Sequence, residues 1–75
     1  MKKRQKSPLD DLKGFREARG ENQTAFWTRF GVTQSGGSRY ESGRVMPIPT
    51  AILVLAFADG VLDDLALEKL RNKTR

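Results

Sequence analysis

Residues 22–44, NQTAFWTRFGVTQSGGSRYESGR, decide the fold. They read as two short helices meeting at a tight turn. Asn22 is a capping residue, and Phe26 and Phe30 fall one turn apart on the helix that follows it. Gly31 offers the left-handed backbone that a sharp corner needs, and Val32 plugs that corner. Thr33 caps a further helix over about 34–42, which Gly43 stops.

Working outward, the segment before this unit predicts another helix. Ser7 can cap it, Pro8 suits its first position, and Asp10 and Asp11 favour its positive end. Leu9, Leu12 and Phe15 recur at three-residue steps and are expected to face a core. Gly14 weakens this helix by roughly 1 kcal/mol relative to alanine, and Gly20 ends it. After the unit, Arg44 to Ile48 reads as a loop, because Pro47 and Pro49 forbid helix until its end. A fourth helix over about 49–58 is apolar nearly all round, and Asp59-Gly60 breaks it. A fifth, over about 62–71, has Asp63 and Asp64 at its start and Lys69 and Arg71 near its end, matching the helix dipole. The expectation is an all-α domain of five helices over 8–71, with a basic arm at 1–7 and a frayed tail at 72–75.

Composition narrows the function. Seventy-five residues make one domain. There is no cysteine and no histidine, which removes disulfides, thiolate metal sites, the usual general base and the usual zinc ligand. No cofactor and no metal are expected. The longest apolar run, Ala51 to Ala58, is too short to span a bilayer. No hydrophobic signal segment follows the basic start. A cytoplasmic protein without a membrane partner is expected. The net charge is +5, and four cations, Lys2, Lys3, Arg4 and Lys6, stand in the first six residues. Concentrated basicity of this kind suits an arm that tracks phosphates, or a solvated terminus. Asp10, Asp11, Asp63 and Asp64 are explained by helix starts. No nucleophile–base pair is present, so no enzyme is expected.

The chain resembles the Cro/repressor-type helix-turn-helix family, which includes lambda repressor. The residues carrying the resemblance are Arg16, Gly20, Gln23, Phe26, Phe30-Gly31-Val32, Thr33-Gln34-Ser35, Arg39 to Arg44, Pro47, and Gly60-Val61 before Leu62-Asp63-Asp64-Leu65. The resemblance implies a lambda-repressor-like fold with a helix-turn-helix formed by helices 2 and 3. It also implies a transcriptional repressor that binds double-stranded DNA, with helix 3 entering the major groove. Gln34 would then pair with adenine and Arg39 with guanine. Thr33, Ser35 and Ser38 are short polar groups that could join them at the bases. Gln23, with Asn22, Ser42 and Arg44, would hold phosphate, as would Lys2, Lys3, Arg4 and Lys6. Arg16 and Glu41 would form a structural salt bridge between helix 1 and the end of helix 3. A solvated surface position is the reading for Arg29.

Two positions depart from the family pattern. Trp27 stands where alanine is usual, and Gly37 where valine or isoleucine is usual. An indole packed over Gly37 would conserve volume. Tyr40 reads as core with its hydroxyl at the edge. Helix 4 has more apolar residues than one face can bury. Ile52, Leu55 and Ala56 are expected inside, leaving Val54 and Phe57, with Val61, as the interface of a weak homodimer. The alternatives are that Phe57 folds under the last helix, or that helix 4 receives a protein partner, as in an antitoxin or a transcription adaptor.

Overall fold

The computed structural model describes residues 7–74. Over them the chain forms a 3-10 turn at Pro8–Asp10 and five helices: α1 Leu12–Ala18, α2 Gln23–Thr28, α3 Gln34–Glu41, α4 Ile48–Ala58 and α5 Asp64–Lys73. The described residues contain no strand, and none of their helices is long and apolar enough to cross a membrane.

The expected first helix is divided in two by consecutive caps. The Ser7 hydroxyl accepts from the Leu9 N–H while the Asp10 carboxylate accepts from the Ser7 N–H, a closed capping box. Asp11 then leaves helical geometry, at φ −149°, and its carboxylate accepts from the Gly14 N–H at 3.0 Å. A side chain at Gly14 would strike that carboxylate. The glycine that weakens the helix thus makes room for its cap. Asn22, Thr33 and Asp63 cap α2, α3 and α5 in the same way, each worth about 1 kcal/mol. α4 begins at Ile48, one residue before expectation, because Pro47 precedes it and Pro49 occupies a first-turn position needing no N–H partner. α5 runs from Asp64 to Lys73, so Asn72 and Lys73 belong to the helix and not to a frayed tail.

The core contains Leu12, Phe26, Trp27, Phe30, Val54, Phe57 and Leu67. Its aromatic rings run edge to face from Phe15 through Phe26 and Phe30 to Phe57, with centroids 5.5–5.9 Å apart. Leu9, Val32 and Tyr40 pack against this core, as expected of them.

The inward face of α4 differs from expectation. Val54 is fully buried and Phe57 is 9% exposed, whereas Ile52 is 59% exposed. Val54 and Phe57 therefore cannot form an interface between copies; of the three expected residues only Val61 is open to solvent. The Phe57 ring is covered by the guanidinium groups of Arg19 and Arg29, each 4.5 Å from its centroid. Arg29 is consequently not a solvated arginine. It pairs with both oxygens of Glu21 at 2.6 and 2.9 Å and with Asp64 at 2.6 Å, joining α2 to the α1–α2 loop and to α5.

Trp27 does pack over Gly37. The indole is fully buried, and a Cβ built on Gly37 would lie 2.6 Å from its Nε1 and closer still to Cδ1 and Cγ. Gly37→Ala is expected to destabilise the domain by about 1–3 kcal/mol through overpacking, although helix propensity alone would stabilise it. Urea denaturation monitored by far-UV circular dichroism measures the sign, and a stabilised variant would refute the packing argument.

Candidate nucleic-acid interface

α3 divides cleanly between an inner and an outer side. At about 100° per residue, Gln34, Ser38, Ser35 and Arg39 succeed one another around an arc of about 140°. Gly37 and Tyr40 lie on the opposite side, against Trp27. Gln34, Ser35 and Arg39 are exposed and Ser38 is half-buried. Gln34 and Arg39 therefore flank the outer arc rather than share one row. Among the described residues, Arg39 and Arg44 are exposed and form no ion pair, which leaves their charges available to an anionic partner.

The other expected contact residues have local roles as well. The Thr33 hydroxyl accepts from the Gly36 N–H at 3.0 Å, and the Asn22 side-chain Oδ1 accepts from the Ala25 N–H at 2.8 Å. Both are caps, and among the described residues the Asn22 side-chain nitrogen has no hydrogen-bond partner. The Ser42 hydroxyl donates to the Ser38 carbonyl at 2.9 Å, so it can offer an anion no proton while that bond persists. Lys2, Lys3, Arg4 and Lys6 lie outside the described residues.

A buried carboxylate holds α3 in place. Arg16 donates from Nε and Nη2 to the two oxygens of Glu41, at 2.8 and 3.0 Å, and from Nη1 to the Glu21 carbonyl at 2.9 Å. The expected salt bridge is thus present, bidentate, with 4% of the Glu41 side chain exposed. Two donors that the residue pattern did not reveal complete it. Trp27 Nε1 donates to Oε2 at 2.8 Å and Gln23 Nε2 donates to Oε1 at 3.1 Å. Gln23 in turn accepts from Gln34 Nε2 at 2.5 Å. Gln23, expected as a phosphate clamp, here links the buried carboxylate to the first residue of α3. A tryptophan within reach of a paired glutamate was the available signal for the extra donor, but the spacing of 14 residues ties it to no local rule.

Burial pushes the Glu41 carboxyl up, yet the hydrogen bonds from Arg16, Trp27 and Gln23, with the Arg16 charge, outweigh it and hold it below its ordinary value of 4.5. Glu21 is also lowered, first by its hydrogen bonds from Arg29, against the opposing effect of burial.

With this geometry in hand, known proteins supply a comparison. The sequence profile of RsaL-like HTH domains matches residues 13–55, more than half of the chain. The match begins within α1 and ends within α4, so it contains the turn, α3 and the Arg16–Glu41 pair. Among solved structures, the chain is similar to the quorum-sensing repressor RsaL of Pseudomonas aeruginosa, with 39% identity and a TM-score of 0.77. The similarity covers 88% of this chain and 98% of the other. No curated protein matches the chain.

Because both carboxyls are depressed in the folded state, their stabilisation is complete above the ordinary carboxylate value and is lost as pH falls through the lowered values. Urea midpoints are therefore expected to hold near neutrality and to fall with acidification below about pH 4.5. Glu41→Gln is expected to flatten that fall. An equally steep acid dependence in the variant would remove Glu41 from the account.

Proposed function

The chain belongs to the family of RsaL-like HTH domains, and from that membership we propose a sequence-specific regulator of transcription that binds double-stranded DNA and acts as a repressor. The observation that carries this reading is the outer arc of α3. Three exposed polar side chains and the half-buried Ser38 line one side of a short helix whose inner side is locked to α1 and α2. Such a helix suits the major groove, docked as in the Cro/repressor class.

In this reading Gln34 pairs with adenine and Arg39 with guanine, while Thr33, Ser35 and Ser38 offer short polar contacts between them. Asn22, Gln23 and Arg44 hold the backbone, and Ser42 contributes as an acceptor of bridging water. Lys2, Lys3, Arg4 and Lys6 add phosphate contacts that carry no sequence information. The reading places the protein in the cytoplasm, and catalysis has no part in it.

Association into a twofold dimer completes the proposal, with half-sites one helical turn, about 34 Å, apart. The residues supporting it are among those that the fold leaves bare: Ile48 and Ile52, one turn apart on α4, Val61 in the connection that follows, and Leu65 in the first turn of α5. They replace Val54 and Phe57. A different protein seated on these residues is the rival occupant.

Selection of bound duplexes from a random pool tests the function. A defined motif repeated about one helical turn apart is expected, and equal binding of selected and random duplexes would overturn it. Gln34→Ala and Arg39→Ala are each expected to cost about 1–3 kcal/mol of discrimination at one base pair. Deleting residues 1–6 is expected to weaken all duplexes alike and to shallow the salt dependence. Sedimentation equilibrium of Ile52→Glu against the unaltered protein tests association. Weaker self-association in the variant supports the relocated interface, and no association in either rules it out.

A further inference from the structure

The hydrogen bonds around Glu41 have a direction. A carboxylate held by a bidentate arginine is an acceptor only. It therefore compels Gln23 to turn its amide nitrogen inward, where Nε2 meets Oε1 of Glu41 at 3.1 Å. That choice leaves Oε1 of Gln23 facing Gln34. Gln34 must then point its own nitrogen back, and its Nε2 donates to Oε1 of Gln23 at 2.5 Å. An amide nitrogen carries two hydrogens. Donation of one to Gln23 leaves Gln34 with its carbonyl oxygen and its second hydrogen for a base.

We infer that Glu41 is a positioning residue for base recognition: through Gln23, its acceptor-only carboxylate sets the amide orientation of Gln34 and so selects adenine over the other bases at that position. This deepens the proposed DNA-reading function and rests on it. Adenine presents a donor at N6 and an acceptor at N7, which the oxygen and the remaining hydrogen of Gln34 match together. Without the relay, an exposed glutamine turns its amide freely and loses that preference in its ordering cost.

Replacing Glu41 by glutamine is expected to reverse the relay, and the donors around the site give the reason. Each oxygen accepts two bonds, but both donors on Oε2, Arg16 Nε and Trp27 Nε1, can only donate, whereas Gln23 at Oε1 can turn over; Oε2 therefore keeps the oxygen of the new amide. The nitrogen falls at the Oε1 position, where it opposes one arginine donor and meets Gln23 as a donor in turn. Gln23 then turns over to accept from it, and Gln34 turns over to accept from Gln23. The face that Gln34 offers the base changes although no residue of α3's outer arc has changed.

The test compares base preferences by duplex selection and competition binding for the full chain and for Gln34→Ala, Glu41→Gln and Gln23→Met. Gln34→Ala identifies the base pair that Gln34 reads. Glu41→Gln is expected to lower adenine preference at that pair about tenfold and to leave preferences elsewhere unchanged. Gln23→Met keeps the Arg16–Glu41 and Trp27–Glu41 bonds and cuts the relay alone, so it is expected to erode the same preference, whatever it does to total affinity. It keeps the inference open to refutation if Glu41→Gln does not fold. A purely structural Glu41 would weaken all duplexes in proportion; unchanged preference at the Gln34 pair in a folded relay variant overturns the inference while the DNA-reading function stands. If no base pair depends on Gln34 at all, that function's assignment of Gln34 fails, and the relay fails with it.

Discussion

Everything on the outer side of α3 depends on one buried anion. Glu41 sits at the end of that helix, almost without solvent, and four N–H groups from three residues converge on it. Taking a carboxylate out of water costs several kcal/mol, so burial alone would expel it. Arginine repays that cost by matching both oxygens in one plane, and the indole and the amide occupy the remaining lone pairs. The result ties α1, α2 and the C-terminal end of α3 to one point. A helix of eight residues has little stability of its own; tethered there and capped by Thr33, it has a defined direction.

Trp27 shows how two unfavourable local choices become one favourable tertiary arrangement. A glycine inside α3 gives up about 1 kcal/mol of helix propensity. A tryptophan in a small domain needs both volume and a partner for its N–H. Gly37 supplies the volume and Glu41 the acceptor. The same side chain thus fills the space behind the recognition helix and completes the site that orients it. Neither residue is interpretable without the other.

On the far side of the core, charge and aromatic surface are combined differently. Arg19 and Arg29 cover the Phe57 ring, and Arg29 also joins Glu21 and Asp64. These groups seal the C-terminal part of α4 without further hydrophobic residues, which a chain of this length cannot spare. They cover the Phe57 ring, while Ile48 and Ile52 of the same helix stay bare. The apolar surplus of this helix is real, but it emerges on a different side from the one expected.

The sequence alone determined the local grammar. Gly20, Gly31, Gly43 and Gly60 all adopt positive φ where helices stop or turn. Asn22, Thr33 and Asp63 cap the helices that follow them. These outcomes rest on contacts within four residues, so residue identity suffices to predict them. The polar arc of α3 was legible for the same reason, since its alternative, Gly37 and Tyr40 outward, would waste the aromatic ring. The Arg16–Glu41 pair was legible only through resemblance, because its 25-residue separation follows no local rule. What only the tertiary structure decided were the phase of α4, the burial of Arg29, and the donors that Trp27 and Gln23 bring to Glu41. A helix apolar on all sides carries no periodic signal of its inner face. A long polar side chain can snorkel to water or fold over a ring at similar local cost, so its fate is settled by which elements meet in space.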